Sequence, residues 1–239
     1  MQLVLLAAGR GSRLPKKYRN QPKCLAQINN KTILNHNLKF YDKFKNKTII
    51  TGYKSNKLKD FIKSNKFNSI HNKDFLSTNM VHSLFKLKKI TEKEIIVCYS
   101  DIIFDPLIYK SFSQFKNKNM ILLKKNWLKV WKGRMSNKEI LKDAENVIVK
   151  KKMLLSIGGK ILKNLPKYQY MGIMKIRNLD FLKLRNFYKK INNQKIDFTS
   201  FIDLALKNEI IKFQISTTNR YWFEIDNLKD IKFTEKKLI

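Results

Sequence analysis

Gln2-Leu3-Val4-Leu5-Leu6-Ala7-Ala8-Gly9-Arg10-Gly11-Ser12-Arg13-Leu14 is the stretch that decides the fold of this chain. An unbroken apolar run that stops at glycine predicts a strand buried on both faces, the kind found in the middle of a parallel sheet. Glycines at Gly9 and Gly11 let backbone N–H groups approach a phosphate oxygen that side chains would otherwise keep away. Arg13 can fork onto the same anion, and Pro22-Lys23 brings a second cation one short loop later. The pattern is no P-loop, because Gly-Lys-Ser/Thr is missing. It is no complete dinucleotide fingerprint either, because Leu14 stands where a third glycine belongs. A Gly-x-Gly by itself is equally compatible with an ordinary turn after a strand.

Outward from this strand, apolar runs and helical spacings alternate. Helical spacing covers Thr32 to Phe44, Asn56 to Ser64 and a segment capped by Asn79 that runs to about Ile90. Strands are expected at Lys47 to Thr51, Phe67 to His71, Glu94 to Tyr99 and Met120 to Leu123, with a helix opening at Pro106. This order predicts an α/β fold: a doubly wound, mostly parallel sheet covered on both faces. Ligands of such sheets sit at the carboxyl ends of the strands. Gly9 to Arg13, Gly52-Tyr53 and Asp101 all fall there. The second half predicts a β-ribbon over Asn146 to Ile157, a strand at Tyr168 to Ile176, helices at Leu179 to Ile191 and Phe198 to Lys207, strands at Ile210 to Ser216 and Tyr221 to Ile225, and a closing helix. No linker divides the chain. One domain over residues 1–239 is expected, with a nucleotide-binding half to about 125 and a small β-rich acceptor half beyond it.

Composition narrows the classes. With 43% hydrophobic residues in 239 the chain buries a core and is not disordered. No apolar run approaches the roughly 20 residues that span a bilayer, and the first residues lack the basic segment of a secretion signal. Two cysteines, Cys24 and Cys98, suggest neither a disulfide framework nor a zinc site, and fit a reducing cytoplasm. Lys and Arg number 51 against 18 Asp and Glu, a net charge of +33. One class this raises is a non-catalytic nucleic-acid binder. The lysines are scattered and arginine, the better reader of phosphates and bases, is scarce; compositional drift accounts for them better.

Two carboxylates stand at strand ends: Asp101 after Glu94 to Tyr99, and Asp226 in Glu224-Ile225-Asp226. Mg²⁺ is satisfied by one or two carboxylates, with water and phosphate completing its octahedron. Each aspartate can equally be a helix cap. The three histidines, His36, His71 and His82, form no catalytic pattern.

The extended run Leu6-Ala7-Ala8-Gly9-x-Gly11-Ser12-Arg13-Leu14, followed by Pro22-Lys23, resembles the signature of the nucleotidyltransferases that activate sugar phosphates and phosphocholine. Asp101 and the late Glu224-Ile225-Asp226 resemble the metal-binding pattern of that family. Ser77 to Leu84, Trp127-Leu128-x-Val130-Trp131-x-x-Arg134, Asp143-Ala144-Glu145, Ile157-Gly158 and Gln169-Tyr170-Met171-Gly172 are similar to its phosphocholine and phosphonate cytidylyltransferase subgroup, so the resemblance spans nearly the whole chain. Lys150 to Met153 departs from it, where relatives carry a polar and often acidic turn. The resemblance implies a Rossmann-like nucleotidyltransferase fold. It implies a soluble cytoplasmic enzyme that moves CMP from CTP onto a small phosphorylated acceptor with Mg²⁺ as cofactor, and leaves a homodimer open. Gly9, Gly11, Ser12 and Arg13 would hold the triphosphate and Lys23 would neutralise it. Arg13 and Lys23 would be the catalytic cations, and Asp101 and Asp226 would hold the metal. Leu6, Ala8, Gly52, Tyr53, Asn79, Ser83 and Ser100 would complete the nucleotide site. Trp131, Arg134, Glu145, Tyr170, Trp222 and Glu224 would receive the acceptor, the tryptophans as a wall for a cationic head group. A sugar-1-phosphate nucleotidyltransferase is the alternative within the family.

Overall fold

The structure is a computed structural model that describes residues 1–161 and 164–238. Its strands are β1 (Gln2–Ala7), β2 (Gln27–Ile28), β3 (Lys31–Thr32), β4 (Asn46–Thr51), β5 (Asn68–His71), β6 (Glu94–Tyr99), β7 (Ile102–Phe104), β8 (Met120–Lys124), β9 (Glu145–Lys150), β10 (Met153–Lys160), β11 (Gln169–Arg177), β12 (Gln214–Thr218) and β13 (Trp222–Glu224). Nine of them form one sheet in the order β5-β4-β1-β6-β11-β8-β12-β10-β9. Seven run the same way; β11 and β10 run against them. The sheet is therefore mostly parallel, as expected, and strands from both halves of the chain interleave in it.

Strand β1 is buried throughout, and its side chains divide by parity. Leu3, Leu5 and Ala7 enter one core, with Phe40, Tyr41, Trp127 and Trp222. Val4 and Leu6 enter the other, with Leu84, Phe181 and Phe201. The two-residue period of a strand thus places a core on each face. Burying each such large apolar side chain contributes about 1.5–3 kcal/mol.

Several boundaries differ from the sequence expectation. The helix expected over Thr32 to Phe44 is two short helices, Ile33–His36 and Leu38–Tyr41. Asn37 stands at the break, donating to the carbonyls of Ile33 and Ile102 and accepting from Phe104 N–H. Its side chain competes with the helical ladder for backbone partners. The Asn79-capped helix ends at Phe85 instead of about Ile90. The strand expected from Ile210 pairs only from Gln214, after a turn in which Glu209 takes φ +55°. Helices at Trp127–Lys132 and Asn137–Asp143 and strand β7 were not anticipated. No helix among the described residues is long and apolar enough to cross a membrane.

Strand β7 matters most for the site. It follows Asp101 at once and pairs antiparallel with β13, Glu224 opposite Ile102. Ile225 N–H then donates to Asp101 O at 3.0 Å. This three-residue ribbon carries the end of the chain across to the carboxyl end of β6.

Candidate active site

The loop after β1 turns at Gly11, which has φ +63°; a Cβ there would come to 3.0 Å from the Lys23 side chain. Backbone sign and space both require glycine, and the turn seats Lys23 beneath the loop. Gly9 differs: a Cβ would meet nothing within 4 Å. The fold does not need glycine there, and its open side faces a cavity of about 120 Å³ lined by Leu6, Ala8, Gly9, Asn79, Ser83 and Ser100, with Lys23 and Asp101 at its floor. Ser100 Oγ donates to Leu6 O at 2.7 Å, tying β6 to β1 at the rim. Asn79 caps its helix by accepting from Met80 N–H at 2.7 Å, and lines the cavity as well.

Four charged groups converge where this cavity meets the next. Lys23 Nζ donates to Asp101 Oδ2 at 2.6 Å and to Asp226. Arg13 lies 2.8 Å from Asp226. Burial works against the Lys23 ammonium, but Asp101 and Asp226 more than offset it and hold its pKa above the ordinary lysine range. Burial likewise opposes charge on Asp226, yet Lys23 and then Arg13 and Arg134 keep its carboxyl below the usual range. Asp226 caps nothing: Asn227 is the cap, in a reciprocal box with Asp230. Asp230 also accepts from Asp226 N–H at 2.8 Å and pairs with Arg134, which reaches Glu224 at 3.6 Å. A buried ionic network therefore fixes the backbone that presents Asp226.

Burial, with Asp226 beside it, pushes the Glu224 carboxyl up to about 8 in spite of Arg134. Unfolded, it titrates near 4.5. The native chain binds the extra proton between these values, so the associated stability is full below the lower pKa and lost as pH rises through the upper one. Glu224→Gln is expected to flatten the fall in thermal midpoint between about pH 5 and pH 8. An unchanged slope in calorimetry would mean that Glu224 is ionised throughout.

The second cavity, about 270 Å³, adjoins the first at Asp101 and Met80. Six carboxylates line it: Asp101, Asp143, Glu145, Asp197, Glu224 and Asp226. They are a third of the chain's 18 acids, and among the described residues the one cation in the lining is Arg13. Thr199 Oγ1 lies 2.7 Å from Glu145 and 3.1 Å from Asp197. Among the described residues Asp143, Glu145 and Asp197 pair with no Lys or Arg, in a chain that carries 51. Burial raises the Glu145 pKa, and Asp197 and Asp143 add to it. Such a cluster is suited to a cation brought by a ligand.

No protein-family model matches the chain. A Campylobacter jejuni protein (subspecies jejuni, serotype O:2) named CTP:phosphoglutamine cytidylyltransferase is 28% identical over 258 residues, covering 99% of this chain and all of that one. The fold matches a Streptococcus pneumoniae CTP:phosphocholine cytidylyltransferase over 100% of this chain and 99% of that one, at TM-score 0.78 and 17% identity. An inositol-1-phosphate CTP transferase from T. maritima matches at TM-score 0.77 and 16% identity, over 98% and 95% of the two chains. The chain is thus similar along its whole length to a cytidylyltransferase, and its fold is that of nucleotidyltransferases. This likeness weighs against the non-catalytic nucleic-acid binder.

The structure gathers most, but not all, of the residues expected from sequence around these two cavities. Gly52 and Tyr53 lie outside both cavities: Gly52 packs under Phe75, and Tyr53 braces the loop through N–H to Ala8 O and its hydroxyl to Arg19 O. Ser12 is exposed on the loop. Trp131, Glu145, Tyr170 and Glu224 line the acid cavity, and Arg134 sits behind it. Trp222 corrects the expected aromatic wall. It is fully buried and donates Nε1–H to Met171 O at 3.0 Å. Trp222 and Glu224 alternate alike on one three-residue strand, yet only Glu224 reaches the cavity, which no local pattern of that length reveals. Asp197 and Thr199 were missed; the former reads in sequence only as the cap of the helix Phe198–Lys207.

Proposed function

We propose that the chain transfers CMP from CTP to a small phosphorylated or phosphonate acceptor bearing an amine, with Mg²⁺ as cofactor and pyrophosphate as the second product. The observation that carries this reading is the convergence of Lys23, Arg13, Asp101 and Asp226 between a glycine-loop cavity and an acid-lined one. The nucleotide takes the first, its triphosphate following Gly9, Gly11, Ser12 and Arg13, and the acceptor takes the second. The three relatives named above all use CTP by their names, which supports cytidine. The acid lining weighs against a neutral sugar phosphate.

The donor set fits Mg²⁺. Asp101 and Asp226 already share one cation, the Lys23 ammonium, and two carboxylates with phosphate and water are what this ion takes. Bound there, it would supply Lewis-acid stabilisation of charge on the reacting phosphate. An oxygen of the acceptor phosphate attacks the α-phosphorus of CTP in line. One P–O bond forms and the bond to the β-phosphate oxygen breaks, so pyrophosphate departs with its electron pair. An anionic phosphate needs no general base. Arg13 and Lys23 neutralise the leaving group, and the cavity walls orient the two substrates. The two free, buried thiols Cys24 and Cys98 suit a reducing compartment such as the cytoplasm.

The test is pyrophosphate release from purified protein with Mg²⁺, each nucleoside triphosphate in turn and a panel of acceptors. Release is expected with CTP and amine-bearing phosphates or phosphonates; none with any pair, in a folded sample, would refute the reading. Glu145→Gln is expected to raise KM for such acceptors by about tenfold or more at nearly unchanged kcat, since it removes one charged hydrogen-bond partner from ground and transition states alike. An unchanged KM would place the amine elsewhere.

A further inference from the structure

We infer that the acceptor's amine is a hydrogen-bond donor, a primary or secondary ammonium, and that the site discriminates against a quaternary one. This rests on the transfer reading above and names the acceptor class within it. Among the described residues, three buried polar atoms on residues that line the acid cavity have no hydrogen-bond partner: Trp131 Nε1, Gln169 Oε1 and Tyr170 OH. Their residues are only 3%, 5% and 5% exposed. Buried polar atoms are nearly always bonded, so three orphans around one cavity mark groups that a ligand satisfies.

Their chemistry selects the ligand. Gln169 Oε1 only accepts, as do the carboxylates of Glu145 and Asp197 nearby in the lining; Tyr170 OH accepts or donates; Trp131 Nε1–H only donates. The cavity thus presents a surplus of acceptors, which N–H donors can fill, and Trp131 Nε1–H offers a donor to an oxygen of the same ligand. A primary ammonium has three N–H groups. A tetraalkylammonium has none, and would leave Gln169 Oε1 and Tyr170 OH unpaired where a primary ammonium can satisfy them.

Four aromatic residues, Tyr99, Trp131, Tyr170 and Phe198, line this cavity, and their rings are packed against other groups. Trp222 is sealed in the core. The Trp131 ring already has the Arg134 guanidinium 5.3 Å from its centroid. Tyr99 meets Tyr170 and Phe198 edge to face, with interplanar angles of 80° and 89°. Cation–π recognition needs free faces, and this packing takes up part of the ring surface that an aromatic wall would offer a cation.

The experiment compares 2-aminoethyl phosphate with phosphocholine, which differ by three N-methyl groups. Rates are measured with CTP and Mg²⁺, and dissociation constants by calorimetry without turnover. The aminoethyl acceptor is expected to be preferred by about tenfold or more in both, as for sites built to bond an N–H. Gln169→Leu and Tyr170→Phe should shrink that preference by weakening the aminoethyl acceptor alone, with CTP affinity unchanged as the control for folding. Equal or better use of phosphocholine, or variants that weaken both acceptors alike, would overturn the inference. So would binding of neither. Preferential binding of the aminoethyl acceptor without turnover leaves this site standing and removes the transfer reading instead.

Discussion

Asp226→Asn is expected to lower CMP transfer by roughly 10²- to 10³-fold, the loss seen when one preorganised charge-stabilising group is removed. The substitution keeps the shape, removes the charge and turns one acceptor oxygen into an N–H donor. Its structural surroundings survive: Asn227 still caps the last helix, Asp230 still holds the Asp226 N–H, and Lys23 keeps Asp101 as a partner. The thermal midpoint is therefore expected to stay within a few degrees of the parent, as about 1 kcal/mol would allow in a chain of this size. Asp101→Asn should behave alike. Calorimetry and pyrophosphate release separate the two effects. Full activity in both variants would remove these residues from the proposed metal site.

Arg134→Met is expected to cost about 3–5 kcal/mol of stability, the usual result of breaking a buried ion pair from one side. The side chains are 4% and 0% exposed for Arg134 and Asp230, so Asp230 would be left charged in the core with only the backbone N–H groups of Asp226 and Asn227. The midpoint should fall by roughly 10 °C. Activity should fall too, because the same network sets the backbone of Asp226. Pairing the change with Asp230→Leu removes the stranded charge and should return part of the stability. A single variant that melts like the parent would show that the pair contributes nothing.

The two predictions differ in how far the sequence foretold them. Asp226 was visible as a carboxylate at the end of an apolar run. Arg134 was visible only through a family resemblance, which placed it at the acceptor; the structure puts it behind Asp226 as a brace. Trp222 shows the same limit. Both tryptophans of the expected wall looked equivalent in sequence, yet one lines the cavity and the other fills the core, because which way a residue on a short strand points depends on its partner strand. Asp197 and Thr199 were invisible for a related reason. A helix start looks the same whether it faces water or a cavity, and nothing local says that Glu145, 54 residues from Thr199, lies 2.7 Å away.

The sequence by itself determined the α/β alternation, the buried first strand and the glycine turn, because propensity, two-residue and 3.6-residue periods and left-handed turns are properties of short segments. The tertiary structure alone decided the site: it set Lys23 against an aspartate 203 residues away, interleaved the strands of both halves in one sheet, and gathered a third of the acids of a strongly basic chain around a single cavity. Those outcomes follow from strand pairing and burial between distant segments, and a local window of residues carries no trace of them.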